Sequence, residues 1–130
     1  MMATHQHAVV WIDHKEAHVV RFGATGVDRV LLRSNSHDPH LHHKANTIGS
    51  GNAPIDVDLF ERVAYALAGA QAILIAGPAS AKMELKKFLD KSYLLLAKHV
   101  LGVETMDHPS EGELVAYAHN YFKAADRLQP

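Results

Sequence analysis

The sequence predicts an α/β domain in which helices cover a mixed five-stranded sheet. Strand-like segments follow one another directly at the start of the chain, and amphipathic helical segments alternate with strands after them. Two short runs, 8–12 and 72–76, are apolar at every position, which is typical of strands buried in the middle of a sheet. With 130 residues, the chain is long enough to bury a core of its own.

Five segments have the composition of strands. The first, His7 to Asp13, is apolar on both alternate faces. Ala17 to Phe22 and Val27 to Arg33 follow after short turns, and short connections between successive strands indicate an antiparallel meander. Gln71 to Ala76 and Val100 to Thr105 are the two later strands.

Helices are predicted where apolar residues recur at a helical period. The first extends from about Pro54 to Ala68, since proline suits the first turn of a helix. Ser80 can cap the second. The segment Leu94 to Leu96 has no clear period, whereas Ser110 and Glu113 stand at the spacing of a capping box and open the last helix.

The resulting order is βββαβαβα, a meander followed by two right-handed α/β units. This is the topology of ribonuclease H-like domains, with the predicted strand order 3-2-1-4-5. The apolar first and fourth strands fit that order because it places them in the middle of the sheet. We expect residues 1–130 to form a single domain.

Composition limits the function classes. Thirteen Lys and Arg against fourteen Asp and Glu give a formal net charge of −1, so any contact with RNA must be local. The chain has no cysteine, which excludes disulfides and thiolate zinc sites and fits a reducing compartment. The apolar runs are much shorter than the roughly 20 residues of a membrane helix, and the first residues do not form a secretory signal. We therefore expect a cytoplasmic protein with no membrane partner.

The segment from Ser34 to Ala53 is predicted to be a long loop rich in histidine. Four of the eleven histidines lie between His37 and His43. Loops of this length in compact domains are usually functional or mobile, so a mobile surface loop with no partner is the alternative to a binding site. The candidate RNA- or ribosome-binding residues combine positive charge, imidazole rings, glycines and an amide, and they are Arg33, His37, His40, His42, His43, Lys44, Gly49, Gly51 and Asn52.

The same histidines are candidate metal ligands. In an extended chain His40 and His42 project to the same side, and neutral imidazole binds zinc, nickel and copper. His43 is the third candidate. The sequence supplies no matching carboxylate or distant ligand, so a zinc or other divalent site is an alternative to RNA contact and no cofactor is required.

A second candidate anion site lies where the fourth strand meets the following helix. Gly77, Ser80 and Lys82 surround this junction, where free backbone amides and the helix dipole favour an anion. The alternative is a capped helix start without a ligand.

A metal-dependent hydrolase or nuclease is a further alternative. Ribonuclease H-like enzymes hold two metal ions with clustered carboxylates. The acidic candidates are Asp13, Asp56, Asp58, Glu61, Glu104 and Asp107. The cluster is incomplete because the fourth strand ends without an acid. Asp107-His108-Pro109-Ser110 is interpreted as a turn with a helix cap, and Trp11 and Phe22 as core residues.

Three motifs together resemble the middle domain of archaeal and eukaryotic-type peptide chain release factors and Pelota, and small bacterial relatives of these proteins. They are Ala8 to Asp13 followed by Glu16-Ala17, the His- and Lys-containing loop that leads to Phe60, and Ile73 to Pro78 with Lys82 nearby. The resemblance covers most of the chain. It implies a domain related to the translation machinery.

In release factors the corresponding loop carries Gly-Gly-Gln, which enters the ribosomal peptidyl-transferase centre. Here Lys44 to Asn52 lacks that tripeptide. The resemblance therefore implies association with the ribosome or RNA without peptide-release chemistry, and the protein is expected not to be an enzyme. A homo-oligomer formed through the exposed edge of the third strand is the remaining alternative.

Overall fold

A computed structural model of the chain describes residues 6–23, 26–34 and 56–127. Its strands are β1 (His7–Ile12), β2 (Glu16–Gly23), β3 (Gly26–Arg33), β4 (Ala72–Gly77) and β5 (Val100–Thr105). They form one sheet in the order β3-β2-β1-β4-β5. The pairs β1–β2 and β2–β3 are antiparallel, and β1–β4 and β4–β5 are parallel. The predicted mixed sheet and its order 3-2-1-4-5 are confirmed.

Four helices lie in the described part of the chain: α1 (Val57–Ala66), α2 (Ala81–Ser92), α3 (Leu94–Ala97) and α4 (Glu111–Arg127). The predicted helix start at Pro54 lies outside the described residues. α1 begins after Asp56, whose carboxylate accepts a hydrogen bond from the Leu59 amide at 3.0 Å. The single turn α3 is an addition to the predicted order, because a run of leucines has no period that distinguishes a helical turn from irregular chain.

The apolar residues of β1 divide between the two faces of the sheet. Ala8, Val10 and Ile12 join a cluster with residues of α1 and α2, whereas Val9 and Trp11 join a second cluster with α4. The parallel β4 continues both clusters. A strand buried on both sides must be apolar at every position, which explains the pattern in the sequence.

The approach of β4 to β1 explains Gly77. A Cβ atom at this position would lie 2.2 Å from the carbonyl oxygen of Ile12, so only glycine fits. Its place at the end of β4 therefore has a packing reason that is independent of any anion.

The edge strand β3 is much less buried. Val27, Val30 and Leu31 are between 41% and 46% exposed. Within the described residues β3 pairs only with β2, and pairing with a second copy along its outer edge stays a prediction. The helices seen here are all too short or too polar to cross a membrane.

Candidate functional site

The structure describes one member of the predicted RNA-contacting set, Arg33 at the end of β3. The other members, His37, His40, His42, His43, Lys44, Gly49, Gly51 and Asn52, lie outside the described residues. What the structure does describe is where the 35–55 segment begins and ends.

Hydrogen bonds join the two ends of that segment in a stem formed by Arg33, Ser34 and Asp56. The hydroxyl of Ser34, which is buried, donates to the carboxylate of Asp56. The Ser34 amide donates to the carbonyl of Lys15 at 2.7 Å, and Arg62 donates to the carbonyl of Arg33 at 2.7 Å. Ser34 and Asp56, the residues that flank the segment, therefore lie at the end of the sheet where β1 turns into β2.

The β1–β2 turn is built by Asp13. One oxygen of its carboxylate accepts hydrogen bonds from the amides of Lys15 at 2.8 Å and Glu16 at 2.9 Å. The other oxygen lies 3.6 Å from Nε2 of His108. This carboxylate is thus engaged in shaping the turn.

The candidate metal ligands are the carboxylates and the histidine-rich loop. Across 6–23, 26–34 and 56–127, no three His, Asp or Glu side chains lie close enough together to hold a metal ion. Metal binding by His40, His42 and His43, which lie outside these ranges, stays a prediction.

At the predicted anion site, Ser80 occupies the N-cap position of α2 but its side chain makes no cap hydrogen bond. Its backbone is already in the helical region, with φ −85° and ψ −13°, whereas capping side chains need an extended backbone. The Lys82 ammonium donates to the carbonyl of Ala79 at 2.5 Å, and the Ser80 hydroxyl lies 3.5 Å from the Glu84 carboxylate. Anion binding by Gly77, Ser80 and Lys82 stays a prediction.

A groove that the sequence did not reveal lies on the α4 side of β2 and β3. Its volume is about 380 Å³. We call it the β2–β3 groove, and it is lined by Trp11, Glu16, His18, Leu31, His108, Pro109, Ser110, Glu111 and Leu114.

Trp11 forms the floor of the β2–β3 groove and fixes the chain that leads into α4. Its indole N–H donates to the carbonyls of Met106 at 3.2 Å and Asp107 at 2.9 Å. The ring packs against two imidazoles, His18 at 5.7 Å and His108 at 4.8 Å between centroids. Trp11 is only 2% exposed, so the predicted core position is confirmed.

The first turn of α4 forms one wall of the groove. The predicted capping box caps the start of this helix. The Ser110 amide donates to the Glu113 carboxylate at 2.8 Å, and the Glu113 amide donates to the Ser110 hydroxyl at 3.1 Å. Because the hydroxyl is engaged in the cap, the interpretation of this segment as a turn and a helix cap is confirmed. His108 instead faces Trp11 and Asp13.

Two ion-pair systems form the rim of the groove. One carboxylate oxygen of Glu16 lies 2.9 Å from Nε2 of His18, and the other lies 3.8 Å from Nε of Arg33. Across the groove, Glu111 pairs with Arg29 at 2.8 Å. The antiparallel register places His18 directly opposite Trp11 and Leu31 opposite His18. Pairing the predicted strands in register is the one sequence signal that could have indicated that Trp11, His18 and Leu31 lie side by side.

Two tyrosines that do not line the β2–β3 groove have raised pKa values. A hydrogen bond to Glu61 raises the pKa of Tyr93, and burial raises the pKa of Tyr121, with further contributions from Glu104 and Tyr117. A raised pKa keeps a phenol protonated at neutral pH, so neither hydroxyl is activated as a nucleophile.

Comparisons with known proteins identify the fold. No protein-family model matches the sequence, and no curated protein matches it. Similar solved structures include Pelota of Archaeoglobus fulgidus, with a TM-score of 0.61 and 17% identity over 88% of this chain and 31% of that chain. Pelota of Thermoplasma acidophilum has a TM-score of 0.60 and 16% identity, over 88% of this chain and 32% of that chain. An archaeal translation termination factor has a TM-score of 0.56 and 14% identity, over 95% of this chain and 39% of that chain.

This chain thus spans between 31% and 39% of the length of those proteins. At such identities the likeness shows the fold. The resemblance noted in the sequence is confirmed at that level: the chain has the fold of a domain that Pelota and an archaeal translation termination factor contain.

Proposed function

We propose that this domain is a cytoplasmic, non-catalytic module that associates with the ribosome or its RNA through residues 33–52. The fold likeness to a translation termination factor supports a role in the translation machinery. The sequence Lys44 to Asn52 lacks Gly-Gly-Gln, so the proposal does not extend to peptide release.

The observation that carries the proposal is the stem. A hydrogen bond from Ser34 to Asp56, and another from Arg62 to the Arg33 carbonyl, hold the residues on both sides of the 35–55 segment at one end of the sheet. Binding residues are often placed on long connections held by a rigid scaffold.

The chemistry of the segment suits a polyanion. Lys44 and Arg33 supply positive charge, and the imidazoles of His37, His40 and His42 can stack on bases or contact phosphates. Because the whole chain carries a formal charge of −1, the contact is local and depends on these side chains.

Co-sedimentation of the full chain with purified ribosomal subunits at several salt concentrations tests the proposal. We expect binding that weakens as salt rises. Lys44→Ala should reduce affinity several-fold and lower the slope of log affinity against log salt by about one. His42→Ala should also weaken binding.

The matched control is Lys91→Ala, which removes an exposed lysine from the last turn of α2. It should leave binding unchanged. No co-sedimentation, or equal losses for Lys44→Ala and Lys91→Ala, would contradict a contact through the 33–52 segment.

A further inference from the structure

We propose that the β2–β3 groove holds one unstacked guanine base of a bound RNA strand. This inference rests on the proposed function and adds a base-selective site to it. The groove begins beside Arg33, the first residue of the proposed RNA contact, because Glu16 lines the groove and its carboxylate lies 3.8 Å from the Arg33 guanidinium.

The dimensions and floor of the groove suit a flat ring. Pockets that take small organic ligands measure roughly 300–1,000 Å³. At about 380 Å³ the groove lies at the lower end, the size expected for one base with its sugar. Leu31, which is 46% exposed, and the outer face of the His108 ring, whose side chain is 66% exposed, supply surface for a ring above the buried Trp11 and Leu114. Bases of single-stranded RNA bind to proteins by such contacts on their faces.

The hydrogen-bonding groups on the rim indicate which base. The Glu16 and Glu111 carboxylates only accept hydrogen bonds, and one Glu16 oxygen lies 2.9 Å from Nε2 of His18. These two carboxylates favour a ligand that presents donors. Guanine is the RNA base that offers two adjacent donors, N1–H and the N2 amino group, to a single carboxylate, as a guanidinium does.

The charges favour a base over a basic peptide. Each groove carboxylate already faces an arginine, Glu16 at 3.8 Å and Glu111 at 2.8 Å, so the rim has no surplus negative charge to attract a cation. The long contact leaves Arg33, with a side chain 71% exposed, able to reach a phosphate attached to the bound nucleotide. A guanine nucleotide would thus meet a carboxylate at its base and Arg33 at its phosphate.

Trp11 provides the measurement, because the chain contains a single tryptophan and that residue forms the floor of the groove. Its fluorescence, excited at the red edge of indole absorption, is followed during titration with the RNA pentamers UUGUU, UUAUU and UUUUU. We expect saturable quenching, with UUGUU binding roughly tenfold more tightly than the others, the discrimination expected for one bidentate contact.

Three variants separate the parts of the argument. Glu16→Gln keeps the shape of the side chain and should abolish the preference for UUGUU. Leu31→Ala, at a position 46% exposed, should weaken all three pentamers without unfolding the protein. Glu104→Gln removes a carboxylate from β5, at the opposite edge of the sheet, and should change nothing. Amide shifts of Leu31 and Ser110 on addition of UUGUU provide a second readout.

The outcomes distinguish this inference from the proposed function. Ribosome binding without any response of Trp11 or of the groove amides overturns the guanine site alone. Equal affinities for the three pentamers, or saturation by a lysine- and arginine-rich peptide in place of RNA, also overturn it. Selective binding of UUGUU without ribosome co-sedimentation supports the site and contradicts the proposed function.

Discussion

The two faces of the sheet differ in how completely helices cover them. Among the residues that the structure describes, 17 buried hydrophobic residues form one cluster on the face packed by α1 and α2, whereas the cluster under α4 has 8. A helix with its side chains is about 10 Å wide and neighbouring strands are about 4.8 Å apart, so one helix covers about two strands. The β2–β3 groove lies where the single helix stops. Among the described residues, the face packed by α4 is the more sparsely covered one, and the groove lies on it.

The largest expected effect lies on the fully covered face. Leu85 in α2 is completely buried, and Leu85→Ala should lower the free energy of unfolding by about 2–5 kcal/mol, because it leaves a cavity that neighbours on all sides cannot fill. Urea denaturation followed by circular dichroism measures this. Met83→Ala, at a position 48% exposed in the same helix, is the control and should cost far less. Similar losses for the two variants would mean that this face is not tightly packed.

The same substitution on the α4 face should cost less. Leu114 is buried but lines the groove, so the space left by Leu114→Ala opens to solvent and does not form a closed cavity. We expect a loss of about 2 kcal/mol, at the lower end of the usual range. The denaturation series used for Leu85→Ala gives the comparison directly. A larger loss for Leu114→Ala than for Leu85→Ala would reverse the ranking of the two faces.

The helix starts on the two faces give a smaller contrast. Ser110 caps α4 through its hydroxyl, whereas Ser80 at the start of α2 makes no cap hydrogen bond. Ser110→Ala should therefore lower the free energy of unfolding by about 1 kcal/mol, and Ser80→Ala should leave it almost unchanged. Thermal unfolding of the two variants side by side tests this, and equal shifts of Tm would contradict the assignment of the caps.

The smallest effect is expected at the rim of the groove. Arg29 and Glu111 form an ion pair whose side chains are 50% and 54% exposed. Exposed pairs contribute little, so Arg29→Ala should change stability by at most about 0.5 kcal/mol, and the change should vanish in high salt. Denaturation at two salt concentrations measures it. A loss that persists in high salt would show that Arg29 stabilises the open face through packing.

Much of the fold could be predicted because its signals are local. The uninterrupted apolar run 8–12 indicated a central strand, and the structure places β1 between β2 and β4. Ser110 and Glu113 indicated a helix start, and they form the expected reciprocal hydrogen bonds. The bond that did not form, the cap from Ser80, depends on a backbone conformation that residue type does not specify.

The candidate groove could not be predicted in the same way. It brings together Trp11, His18 and Leu31 from three strands with the segment before α4, and the hydrogen bonds of Trp11 join residues 95 and 96 positions apart. Considered singly, each of these residues has an ordinary interpretation as core, surface or turn.

The order of strands and helices, the apolar centre of the sheet and the absence of Gly-Gly-Gln follow from the sequence alone, because they depend on periodicity and on which residues are present. Tertiary structure decided which polar groups meet in the β2–β3 groove. It also decided that Ser34 and Asp56 join the ends of the 35–55 segment. Such contacts depend on strand register and on the reach of a single helix, which emerge only when distant parts of the chain pack together.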